Sequence, residues 1–167
     1  MIDSPFIIME DGTRTVAAGQ LSIVEGSPVA LDANGNLVKA TETMKVFGVS
    51  KLDCNQFRNF AFGEYGAFGT QKLTTICKGT VRVASSVYNQ IEVNTSTVAG
   101  GSTTLPVFDG TLAYVPGQSL YVNAGLISNV APAAGNISYL GKVVAPCAIG
   151  AQWLEFELQP LDQAASL

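Results

Sequence analysis

Two stretches of this chain follow one frame, and that repetition limits the fold more than any other feature. Residues 24–53 read VEGSPVALDANGNLVKATETMKVFGVSKLD, and residues 115–146 read VPGQSLYVNAGLISNVAPAAGNISYLGKVVAP. Gly26 matches Gly117, each two places after a valine. Val29 and Leu31 match Leu120 and Val122, with the alternation of strands that bury one face. Asn34-Gly35 and Ala124-Gly125 supply hairpin turns, and Leu37-Val38 match Leu126-Ile127 beyond them. After a polar loop (41–45 and 132–136), Gly48 and Gly141 each sit within a short apolar run. The spacing from first to second glycine is 22 residues in one copy and 24 in the other. One such hairpin is ordinary; two with their parts in the same order point to two related units.

The rest of the chain also reads as strands. Thr80-Val81-Arg82-Val83 alternates polar and apolar, as does the run 152–159 with Trp153, Phe156 and Leu158 among its apolar members. Short β-rich runs at 6–9, 14–18, 73–77, 87–93, 111–115 and 137–144 are separated by Gly, Asn, Asp and Pro. No window carries helical periodicity with caps, apart from a possible turn at 54–59 and the tail from Leu161. The expected fold is all-β, a compact antiparallel barrel or sandwich with two related hairpin units. The expected organisation is an N-terminal arm or edge strand at 1–16, one β domain at 17–160, and a tail at 161–167. A chain of 167 residues can bury such a core without disulfides or metals.

Composition removes several function classes. There is no histidine, so there is no Ser-His-Asp triad, Cys-His dyad or histidine-liganded zinc site. A net charge of −4 with only nine Lys and Arg gives no clustered cations for phosphates, so no nucleic-acid partner is expected. No apolar run is long enough for a membrane-spanning helix, and acidic Asp3 stands where a signal peptide carries positive charge. Cys54, Cys77 and Cys147 are odd in number and lack a C-x-x-C pattern, which reads as reduced, buried thiols. The glycine-rich run 99–104 lacks the lysine of a phosphate loop. Asp32-Ala33-Asn34-Gly35-Asn36 lacks the sixth-place glycine and distal glutamate of a calcium loop. Glu155 and Glu157 share one strand face, the spacing of a solvent-facing strand. The chain is expected not to be an enzyme and to need no cofactor or metal.

Three segments are left as candidate contacts. Residues 54–70 interleave Phe57, Phe60, Phe62, Tyr65 and Phe68 with glycines, either as a loop that plugs the core or as an interface loop. The run Phe6, Ile7, Ile8, Met9 follows Pro5 with no hairpin turn before it. It reads either as an arm that adds a strand to a partner's sheet or as a strand of the chain's own barrel. Between Glu92 and Glu155 only Asp109 and Lys142 are charged, whereas soluble surfaces carry roughly 25–35% charge. That half is expected to meet other copies of the chain. Trp153, in an alternating strand, is expected to face the core.

The phrases EGSPVALDANGNLVKAT…VFGVS and VPGQSLYVNAGLISN…ISYLGKVV resemble the small β-rich capsid decoration (cement) proteins of tailed bacteriophages. The likeness covers residues 17–53 and 73–159 and leaves out the aromatic-glycine segment. It implies a structural role on the virion: binding the outer face of the expanded icosahedral head and holding it against the pressure of packaged DNA. The partners it implies are the major capsid protein and further copies of the chain, with a homotrimer favoured. Two other classes stay open: another virion β domain, such as a head-fibre base or a tail or baseplate part, and a β-sandwich carbohydrate-binding module.

Overall fold

In a computed structural model, residues 9–17, 20, 23–51, 72–91 and 101–159 are described. The strands are β1 (Met9–Thr15), β2 (Pro28–Leu31), β3 (Leu37–Lys39), β4 (Gly48–Ser50), β5 (Lys72–Ala84), β6 (Ser86–Ile91), β7 (Gly101–Pro106), β8 (Ser119–Asn123), β9 (Leu126–Ser128), β10 (Tyr139–Val143) and β11 (Trp153–Leu158). A three-residue 3-10 turn at Asn136–Ser138 is the one helical element among the described residues. Eight strands form one antiparallel sheet in the order β3-β2-β4-β5-β11-β10-β8-β9, curled into a half-barrel, with β1 paired to β5. β6 and β7 make a separate two-stranded sheet. The all-β expectation holds.

That strand order is the same from either end. β2, β3 and β4 come from the first sequence repeat and β8, β9 and β10 from the second, so each half is a hairpin plus a third strand on the hairpin's other edge. The registers correspond: Pro28 and Val29 face Val49 and Gly48, while Ser119 and Leu120 face Lys142 and Gly141. The hydrogen bonds outside the ladders correspond as well. Gly26 N donates to Ser50 O and Gly117 N to Val143 O, both at 2.8 Å. Ser50 N returns a bond to Ser27 O, and Val143 N to Gln118 O, both at 2.9 Å. Val24 N donates to Ser27 Oγ at 3.0 Å, and Val115 N to Gln118 Oε1 at 2.8 Å.

One sequence match is a residue out. Leu37 faces Leu31 in the first hairpin, and Ile127 faces Val122 in the second, so the counterpart of Leu37 is Ile127 rather than Leu126. The cause is the turn. The first hairpin closes with Asp32 N on Asn36 O around three residues; the second closes with two, Ala124 and Gly125 at φ 49° and 77°. Two successive positive φ values are the geometry of the tight hairpin turn whose twist suits the flanking strands. The repeat also starts earlier than the sequence showed. Val16 bridges Leu37 and Phe108 bridges Ile127, both parallel, with Ala17 N on Leu37 O and Asp109 N on Ile127 O at 2.9 Å each. These bridges occupy the outer edges of β3 and β9, which would otherwise present unpaired backbone groups.

The core lies on the concave side. β8 and β11 alternate, so Leu120 and Val122, then Leu154, Phe156 and Leu158, are fully buried. Trp153 stands three residues from Phe156 and so on the other face, 43% exposed, which corrects the expectation that it is core. Gly48 and Gly141 occupy one place in the two units. A Cβ built on Gly48 would overlap Ile76 O, and one on Gly141 would overlap Glu157 O, each on the neighbouring central strand. Only a residue without a side chain lets those strands close. Gly48→Ala and Gly141→Ala are each expected to lower unfolding free energy by about 2–4 kcal/mol in urea titrations. Gly110→Ala, in open space, should change it by less than about 0.5 kcal/mol.

Candidate functional surface

Phe6, Ile7 and Ile8, and all of Phe57, Phe60, Phe62, Tyr65 and Phe68, lie outside the described residues. Met9 opens β1 and pairs with Lys78 of β5, so the candidate arm is drawn into the chain's own sheet from Met9 onward. The physical reason is the length of β5. β11 pairs with it only from Gly79 to Ala84, and β1 pairs along Lys72 to Lys78, where backbone groups would otherwise be open. The Arg14 guanidinium then lies 4.7 Å from the centre of the Phe47 ring and ties β1 to the first unit.

The chemistry-bearing side chains described here are committed to structure. Glu155 and Glu157 both face outward, opposite Arg82 and Thr80 on β5. Arg82 donates from Nε and Nη2 to Glu155 Oε2 at 3.2 and 3.0 Å, so the two carboxylates are not an equivalent pair. Asp32 accepts from the backbone N–H of Asn34 and Asn36 at 2.8 Å, and the Asn36 bond holds its carboxyl below the usual range. It is a clamp for the hairpin turn. Asp109 accepts from Thr111 N and Oγ1. Cys77 and Cys147 carry thiols rather than a disulfide, and burial pushes the Cys147 thiol up, away from a reactive thiolate. No three His, Cys, Asp or Glu residues gather to hold a metal among the described residues.

Two surface features stand apart from this. The first is the β6–β7 hairpin. It is rooted by Val107 N on Ser85 O and by Val87 and Leu105 packed against the core, then runs from the Ser86–Pro106 pair to the Ile91–Gly101 pair with no third strand beside it. A two-stranded ribbon is marginally stable alone in water. Neither of its strands carries a charge. Sequence reading found β6 as a strand but took residues 99–104 only as a rejected glycine loop. The polar run Ser102-Thr103-Thr104 gives β7 no apolar alternation to detect.

The second feature is an outward apolar surface on the second unit: Val115, Val144, Ile149 and Trp153 are 57%, 43%, 68% and 43% exposed. Tyr121 and Tyr139 pack edge to face at 5.9 Å and 71° on the same unit, which is not the flat aromatic row of a sugar platform. No family model matches the chain, and neither the curated proteins nor the solved structures yield a match.

Tyr114 pins the loop beneath that apolar surface. Its hydroxyl donates to Asp109 O at 2.8 Å and approaches Ile127 O at 3.3 Å, its ring meets Phe108 edge-on, and its backbone bridges Cys147. Burial first, then the Asp109 charge, pushes its hydroxyl well above the ordinary tyrosine range. A raised folded-state pKa contributes stability that is complete below the unfolded value of about 10 and is lost as pH climbs above it. The melting temperature is expected to fall as pH rises past about 10. Tyr114→Phe should shallow that fall and cost about 1 kcal/mol at neutral pH.

Proposed function

We propose that this chain is a structural virion protein without catalytic activity. In this reading it is a decoration, or cement, protein that binds the outer face of an expanded icosahedral head and stabilises it against internal DNA pressure. Its partners are the major capsid protein and further copies of itself, with the trimer the form that the resemblance favours. One observation supports the reading above others. The two phrases that carry the resemblance to phage decoration proteins occupy corresponding places in the two halves of one sheet. The match is therefore one of repeated architecture, beyond shared turn residues.

The physics of the task agrees. A cement protein performs no reaction; it needs a stiff body whose contacts are repeated over a shell, so that modest affinities add through multivalency. A sheet with both outer edges occupied supplies the stiff body, and the described carboxylates and thiols are engaged in holding it together. Mixing the purified protein with expanded and with unexpanded heads, and measuring what co-sediments, tests the reading. Binding to expanded heads alone is the expected result, together with a higher temperature of DNA release from decorated heads. Equal binding to both forms, or none to either, would refute it.

A further inference from the structure

The two units share a hydrogen-bond frame but not an environment. In the first, Val24 is fully buried, and a Cβ on Gly26 would touch Val83 at 3.2 Å and Val107 at 3.3 Å. In the second, the counterpart Val115 is 57% exposed, and the space above Gly117 is open. The same turn is thus present covered and uncovered, and the cover in the first unit is apolar and identifiable. Val83 ends the buried run of β5, and Val107 follows β7, so the cover is the root of the β6–β7 hairpin.

The uncovered site is continuous. Tyr114 and Cys147 exchange backbone bonds at 2.8 and 3.0 Å, and Gly117 N donates to Val143 O, so Val115 and Val144 lie on adjacent antiparallel segments. Val144 N donates to Glu155 O, which places Trp153 diagonally across from it on the outward face. Gly150 N on Gly110 O anchors the turn that carries Ile149. Residues 110–118 and 143–153 contain no charge, and the nearest carboxylate, Glu155, is paired with Arg82. An exposed apolar area without charge, with a tryptophan in it, is the composition of a contact surface.

We infer that the β6–β7 hairpin of a second copy of this chain docks on the surface formed by Val115, Val144, Ile149 and Trp153. The hairpin is uncharged and lacks a third strand; the surface is uncharged and lacks a cover. Within one molecule the hairpin's root already covers the equivalent turn of the first unit. Copies of net charge −4 repel one another elsewhere but meet no like charge here. Hairpin on surface is a head-to-tail contact between different patches, and such contacts close into rings, the trimer included. The inference gives a geometry to the self-association in the reading above and rests on that reading only for there being self-association at all.

Two variants of the full chain and their mixture test it. Ile149→Asp changes an exposed turn residue. Replacing residues 90–102 with Asn-Gly joins the paired residues Asn89 and Thr103 through a two-residue turn. Circular dichroism and melting curves confirm that each variant folds; Val115→Asp substitutes for the first if it does not. By analytical ultracentrifugation the wild type is expected to be a closed oligomer, and each variant should raise its dissociation constant at least ~tenfold. Mixed together, the two variants should form a 1:1 complex, because one retains the surface and the other the hairpin. A monomeric wild type would overturn the inference, including one whose surface is covered by residues of its own chain. So would a shortened-hairpin variant that assembles like the wild type, since the surface would then meet itself or another region. Head binding is measured separately: assembly as expected without head binding sinks the cement reading and leaves this inference standing.

Discussion

The fold depends on the antiparallel ladder between β5 and β11, which joins two halves that each leave an edge unfilled. A three-stranded unit such as β3-β2-β4 ends on β4, and β9-β8-β10 ends on β10. β5 closes the first, β11 closes the second, and the six pairs from Gly79–Leu158 to Ala84–Trp153 close each central strand on the other. The same ladder sets Val81 against Phe156 and Val83 against Leu154, all fully buried, so it also aligns the two halves of the core. Backbone pairing and apolar burial reinforce one another there, and mutual support of that kind gives one native state.

The repeated frame explains what the two halves share. The differences explain where a partner can attach. Paired glycines let β4 and β10 approach the central strands, and paired bridges from Val16 and Phe108 occupy the outer edges. Those constraints serve a rigid body and are spent on it. What is not repeated is the β6–β7 hairpin, the bare turn at Val115 and Gly117, and the β1 strand that pairs along the first half of β5. Symmetry within the chain makes the asymmetric parts conspicuous, because each can be compared with a counterpart that is satisfied.

The sequence disclosed the features whose causes are local. Alternation in β8 and β11, turn residues at 32–36 and 124–125, and two matched glycines were enough to read an all-β chain with two related units. The features it withheld have causes that no single stretch contains. The match of Leu37 with Ile127 depends on one extra turn residue. The bridges at Val16 and Phe108 are backbone contacts between residue types that differ, so similarity of letters could not reveal them. Trp153 faces outward through strand parity, although its hydrophobicity argued for the core. β7 is polar because it has no core to face, so the periodicity that marks other strands is missing. The candidate arm was half legible: Met9 belongs to the sheet, while Phe6 to Ile8 and the aromatic-glycine segment lie outside the described residues.

The central claim is that one hydrogen-bond frame is built twice, and amide hydrogen exchange of the native protein measures it directly. The amides of Gly26 and Gly117, Ser50 and Val143, and Ala17 and Asp109 donate to corresponding carbonyls in the two units. The account predicts that all six exchange slowly and through cooperative opening, with protection falling in step as denaturant is added. If one member of each pair exchanged at the rate of an unstructured peptide while the other stayed protected, the frame would exist only once and the account would be wrong.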